Sequence, residues 1–136
     1  MRVIDAEGAT LGRLSTIVAK ELLRGEEIVI INSEKAVISG KKRMIREEYK
    51  RRRELGTSRK GPFFPRMPDR IVKRSIRGML PYQTPHGRAA LKRLKCYIGI
   101  PEEFKDKEKE VIEEAKRKHV DFITIEELSR FLGAEF

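Results

Sequence analysis

Cysteine is almost missing from this sequence: among 136 residues there is only Cys96. A lone cysteine excludes an internal disulfide and any multi-cysteine zinc site, and it suits a reducing cytoplasm. Tryptophan is absent, and the only histidines are His86 and His119. Two histidines and one cysteine do not supply the ligand set of a catalytic zinc centre, so no metal is expected. The longest apolar runs, such as Ile28–Ile31, are far shorter than the roughly 20 residues of a bilayer-crossing helix, so no membrane partner is expected. The amino terminus carries Arg2 but no apolar stretch, and Asp5 and Glu7 interrupt it, so it does not read as a secretion signal.

Acidic residues are in the minority, and their scarcity is local. The chain has 31 Lys and Arg against 21 Asp and Glu, a net charge of +10. Residues 1–40 hold 5 basic and 6 acidic side chains, and residues 96–136 hold 7 and 11. The stretch Lys41–Lys95 holds 19 and 4. A solvated face mixes its charges. A segment this one-sided is the footprint of a polyanion partner. Twelve of the nineteen cations are arginine, whose planar fork grips phosphate bidentately and stacks on bases.

The length suits one domain, expected over 1–136, able to bury about two-thirds of its unfolded surface without a staple. Arg2–Asp5 reads as a strand. Thr10 reads as the N-cap of a helix over Leu11–Arg24, stopped by Gly25 and buried along Leu11, Leu14, Val18 and Leu22. Glu27–Asn32 reads as a strand buried on both faces. Strand, helix and strand in about thirty residues form a βαβ unit, which predicts an α/β fold with a mostly parallel sheet. Lys95–Ile98 reads as a further buried strand, and residues 1–40 with 94–100 are expected to form the core.

Gly40–Leu55 predicts a helix with a weak apolar stripe (Met44, Ile45, Tyr49) under dense basic cover. Gly56–Pro68 is broken by five glycines and prolines. Together, 41–68 are expected to form an arm reaching into RNA and ordered mainly by its partner. Phe63 and Phe64 either stack on unpaired bases or anchor the loop in an apolar pocket; the second is favoured because the prolines already stiffen the segment. Residues 69–93 predict two core-anchored basic helices. In Asp69–Leu80, Val72, Ser75, Ile76 and Met79 face inward while Arg70, Lys73, Arg74 and Arg77 form a row. In His86–Arg93, Ala90 and Leu91 face inward, as does Leu94, with Arg88, Lys92 and Lys95 outward.

Residues 101–136 predict a charged helical tail facing solvent or a neighbouring protein. It is read as a polar helix over Asp106–Lys118 with pairs such as Glu113–Arg117, then a strand near Phe122–Ile125. A last helix is opened by the Thr124–Glu127 capping box and stopped by Gly133.

Catalysis finds little support. The glycines Gly8 and Gly12 lie between a strand and a helix, yet match neither phosphate-binding fingerprint, so a plain tight turn is the simpler reading. Cys96 sits mid-strand, where a buried inert thiol is expected, and His119 reads as a surface histidine. The rival reading is a small nucleotide-binding α/β enzyme using the Gly8–Gly12 turn. No cofactor or small-molecule substrate is expected. No helix-turn-helix, zinc-finger or basic-zipper pattern is present, and a long irregular basic loop suits RNA better than a regular DNA groove.

Five stretches occur in order: Asp5–Leu14 (DAEGATLGRL), Ile31–Lys42 (INSEKAVISGKK), Arg77–Pro81 (RGMLP), Gly87–Arg88 and Leu94–Gly99 (LKCYIG). Together they resemble the large-subunit ribosomal protein family L-thirteen over about residues 1–104. Arg51–Pro68 and the charged tail are similar to its archaeal and eukaryotic branch, and the lack of a longer carboxyl extension favours an archaeal member. The resemblance implies a three-layer α/β/α fold around a four-stranded parallel sheet, and no catalytic residue. It also implies a cytoplasmic, ribosomal role binding large-subunit ribosomal RNA early in assembly, beside neighbouring large-subunit proteins. A non-ribosomal RNA regulator is a further alternative. The residues expected to bind RNA are Lys41, Lys42, Arg43, Arg46, Lys50, Arg51, Arg52 and Arg53, then Arg59, Lys60 and Arg66. Arg70, Lys73, Arg74 and Arg77 follow, and finally Arg88, Lys92 and Arg93.

Overall fold

The computed structural model describes residues 1–55, 64–116 and 119–136. Its centre is a four-stranded sheet of β1 (Arg2–Asp5), β2 (Ile28–Ile31), β4 (Leu94–Cys96) and β5 (Glu110–Val111), in the order β4-β2-β1-β5. Every pairing in it is parallel, with Val3 opposite Val29 and Val29 opposite Lys95. Between β1 and β2 runs α1 (Leu11–Leu23), whose Leu11, Leu14, Val18 and Leu22 are buried at the spacing the sequence predicts.

Right-handed crossovers decide what covers each face. The steps from β1 to β2 and from β2 to β4 run in one direction, which puts their helices on one face. The step from β4 to β5 runs back, so its connection crosses the other face. Side chains agree. On the helical face Ile4, Ile28, Ile30 and Leu94 pack with α1, with Ile71, Val72 and Ile76 of α3 (Pro68–Arg77), and with Ala90 of α4 (Pro85–Lys92). On the opposite face Val3, Val29 and Ile31 meet Phe104 and Tyr97. That second covering layer is a single 3-10 turn, Glu102–Phe104. All four residues of β2 are buried, as its unbroken apolar run requires.

The fourth strand corrects the reading of the tail. Phe122–Thr124 is a strand (β6), but it pairs antiparallel with β3 (Val37–Ser39) in a separate two-stranded sheet. Glu110–Val111 takes the edge beside β1, within the segment read as a polar helix. Asp106–Lys118 forms no such helix: its described part gives this short strand and a 3-10 turn at Glu113–Ala115. The supposed partners Arg117 and Lys118 lie outside the described residues. Exposed i,i+4 pairs contribute only about 0.3–0.5 kcal/mol each. Closing the open edge of β1 and burying Ile112 and Ala115 outweighs them.

The tail is therefore part of the core. Ile123, Ile125 and Leu128 are fully buried, the last two in α5 (Ile125–Phe131). The Thr124 hydroxyl accepts from the Glu127 N–H at 3.2 Å, as the capping-box pattern predicts. The chain end also seals the β1–α1 turn: Thr10 N–H donates to the Ala115 carbonyl at 2.9 Å. His119, read as a surface residue, is half-buried with its Nε2 2.9 Å from the Thr10 hydroxyl. Thr10 is the helix N-cap by position, but its side chain makes no cap hydrogen bond.

One glycine is dictated by close approach. A Cβ on Gly87 would stand 1.9 Å from the Pro81 carbonyl oxygen, so α4 can dock against the turn after α3 only if residue 87 has no side chain.

Candidate nucleic-acid interface

The basic segment opens on α2 (Lys42–Glu54), which has no fully buried residue. From its weak apolar stripe, Tyr49 packs on the core cluster. Burial raises the Tyr49 phenol pKa, with Arg52 opposing the shift. Phe64 meets Tyr49 edge-on at a centroid distance of 5.6 Å. The Phe64 ring in turn lies 5.5 Å from the Arg52 guanidinium and 5.7 Å from that of Arg74 on α3. Two cations from different helices thus share one aromatic ring, beside an open cavity of about 360 Å³ that also touches Leu55 and Gly78. Phe64 anchors the segment, as the sequence favours. Phe63, Arg59 and Lys60 lie outside the described residues.

The remaining expected RNA contacts fall into two groups. Several are engaged with protein. Lys73, read as one of four equivalent cations, donates to the Leu94 carbonyl at 3.3 Å and so ties α3 to β4. Arg93 donates to the Leu22 carbonyl at the end of α1. Arg46 stacks 5.6 Å from the Phe131 ring, and its buried Nε has no hydrogen-bond partner among the described residues. Lys42 pairs with Glu127 at 3.0 Å, joining α2 to α5. Arg53 donates to the Phe64 carbonyl.

Others are presented outward. Lys41, Arg66, Arg70, Arg88 and Lys92 are exposed. Arg43 and Lys50 are exposed in loose pairs with Glu47 and Glu54, at 3.2 and 4.0 Å. Arg51 and Arg52 both reach Glu48, whose hydrogen bonds to them hold its carboxyl below the usual range. Arg77 lies 4.3 Å over the Tyr82 ring and is half-buried. Met79, expected inward, is exposed with its sulfur 3.4 Å from the Thr16 hydroxyl. Ile71 and Leu80 take the core positions instead.

The other candidate chemistries fare poorly. In the Gly8–Gly12 turn Ala6 and Ala9 are buried, Ala9 accepts from Val37 N–H at 2.9 Å and Thr10 N–H donates to Ala115, while Gly8 and Gly12 are exposed, and the turn matches neither phosphate-binding fingerprint. Beyond the ends of β1, β2 and β4 lies a polar knot. Asn32, left-handed at φ 54°, donates to Asp5 at 3.0 Å, and Glu34 accepts from Gly99 N–H at 2.7 Å. Cys96 lies beside Lys73 and Asp69 of α3; burial pushes its thiol up to about 12 although the residue is partly exposed, so it stays protonated. Among the described residues, no group of three or more His, Cys, Asp or Glu could hold a metal ion. No described helix is long and apolar enough to cross a membrane.

The part sequence reasoning missed is the carboxyl end. Phe131 stacks with Arg46, and Gly133–Glu135 line a cavity with Arg53, Arg66 and Arg70. The signal was the apolar set Ile123, Ile125 and Leu128, which marks a buried element rather than a solvated tail.

A family model described as "Ribosomal protein L13" matches residues 1–103. The large ribosomal subunit protein uL13 of Archaeoglobus fulgidus is 50% identical over 135 residues, covering 96% of this chain and 86% of its own. The protein of the same name from Methanocaldococcus jannaschii is 51% identical over 140 residues, covering 100% of both. That of Thermoplasma volcanium is 44% identical, covering 98% of each chain.

Proposed function

Because the chain belongs to the ribosomal protein L13 family, among its archaeal members and not among enzymes, we propose that it binds folded large-subunit ribosomal RNA in the cytoplasm and joins the subunit early in assembly. One observation carries this reading. Arg52 of α2 and Arg74 of α3 converge on the Phe64 ring, and the Glu48 carboxylate that pairs with Arg52 is shared with Arg51. Like charges held together on a rigid platform call for an anion from outside.

Binding is by charge and shape, with no chemistry on the RNA. The arginines Arg70, Arg74 and Arg77 lie along a helix whose Ile71, Val72 and Ile76 are locked in the core, so their spacing survives without a partner. Arg88 and Lys92 extend the positive surface on α4. Lys73 and Arg93 act differently: they brace the platform from within and meet RNA at most through their remaining donors.

The test is filter binding of the purified protein to large-subunit ribosomal RNA, alongside sedimentation of a native lysate through a sucrose gradient. The expected results are comigration with the large subunit and a loss of at least tenfold in affinity when Arg70, Arg74 and Arg77 are all changed to Gln. Unchanged affinity in that variant, with unchanged melting temperature, would overturn the assignment of this face.

A further inference from the structure

A cavity of about 690 Å³ lies between the stretch Phe64–Met67, Arg70 at the start of α3, and Arg53 of α2; its far wall is the chain end Gly133–Glu135. The volume falls within the range of about 300–1,000 Å³ typical of small-molecule sites. Its lining divides into two chemistries. Arg53, Arg66 and Arg70 set three guanidinium groups against one carboxylate, Glu135. Phe64, Pro65, Met67 and Ala134 supply the apolar part.

The cationic half is positioned. Arg53 is oriented by its hydrogen bond to the Phe64 carbonyl, which holds the group without cancelling its charge. Gly133 takes φ +95°, and a Cβ there would come within 3.6 Å of the Arg66 guanidinium. The positive φ is what calls for glycine at the turn after α5; a contact of 3.6 Å to Arg66 is ordinary packing. The N-cap Met67 and Arg70 in the first turn of α3 border the same space, where Asp69 of that turn offsets the partial positive charge of the helix start.

Regular RNA helices present phosphates in rows on a convex surface and cannot enter such a cavity. A single nucleotide splayed out of the stack carries both an anion and a flat apolar face, which match the two halves. We infer that this cavity seats one unstacked nucleotide of the bound RNA, its phosphate among Arg53, Arg66 and Arg70 and its base against the apolar wall. The inference rests on the RNA-binding reading and deepens it: the cavity supplies a register mark that the outer arginines lack.

The probe is adenosine 5′-monophosphate, titrated into the full-length protein and followed by amide chemical shifts. Saturable shifts at Met67, Arg70, Gly133 and Ala134 are expected, with adenosine alone and inorganic phosphate alone each binding about tenfold more weakly. Pro65→Trp fills the apolar wall and leaves all three arginines. It should abolish the nucleotide shifts while heparin binding stays unchanged. Three results would overturn the inference: inorganic phosphate binding as well as the nucleotide, Pro65→Trp leaving the shifts intact, or equal shifts at Arg43, Arg51 and Arg88, which lie outside the cavity. If the wild-type protein binds no ribosomal RNA but keeps the saturable nucleotide shifts, the cavity stands and the RNA reading falls.

Discussion

At the scale of single residues, the structure separates cations that look equivalent in the sequence. Arg70, Lys73, Arg74 and Arg77 share one helical spacing, yet Lys73 spends a donor on the Leu94 carbonyl while Arg70 is exposed. Helical periodicity assigns a direction to each side chain; it does not say which backbone carbonyl waits at the end of it. Gly87 is the opposite case, a residue whose identity is dictated by a neighbour distant from its own helix pattern. Gly87→Ala places a Cβ against the Pro81 carbonyl, and α4 has to lift to accommodate it. Overpacking of this kind costs about 1–3 kcal/mol or more. The urea midpoint should fall by that loss divided by the denaturation slope, with the slope itself unchanged; a midpoint equal to wild type would show that the turn yields freely.

At the scale of elements, the helices and the first two strands were legible because their apolar spacing is strong. Leu11, Leu14, Val18 and Leu22 could form only one stripe. The sequence places α3 over Asp69–Leu80, and it runs from Pro68 to Arg77. The tail was not legible in the same way. Asp106–Lys118 is rich in charges that could pair along a helix, and in its described part that local preference yields to the unfilled edge of β1. The reading of 101–136 as a solvated tail predicts that apolar residues there matter little. The structure predicts otherwise: Leu128 is fully buried in α5, and Leu128→Ala should destabilise the protein by about 2–5 kcal/mol. Equilibrium unfolding of that variant decides between the two, since a loss under about 0.5 kcal/mol belongs to a surface position. The same packing gives α2 its seat, through Lys42–Glu127 and Arg46–Phe131.

At the scale of the whole molecule, charge is segregated. The excess of cations lies in 41–95, whereas the acidic residues of the carboxyl end are spent partly on local pairs such as Lys105–Glu102 and Arg130–Glu126. A partner that releases counterions on binding should show affinity falling with salt at a slope of about 0.7–0.9 per phosphate contacted. Measuring ribosomal RNA affinity across a salt series should give a slope of several units, reduced in the variant lacking Arg70, Arg74 and Arg77. A flat salt dependence would mean that charge neutralisation is not the source of affinity.

By itself, the sequence determined the α/β class, the βαβ opening and the segregation of positive charge into the stretch Lys41–Lys95. These follow from local periodicity and from charge counts, which need no knowledge of what lies across the chain. Only the tertiary structure decided which strand completes the sheet, which cations brace the fold, and how far the carboxyl end enters the core. It also placed Gly133–Glu135 opposite Arg53, Arg66 and Arg70. Each of these depends on contacts between residues tens of positions apart, where a neighbour's open edge or bare carbonyl outweighs local preference.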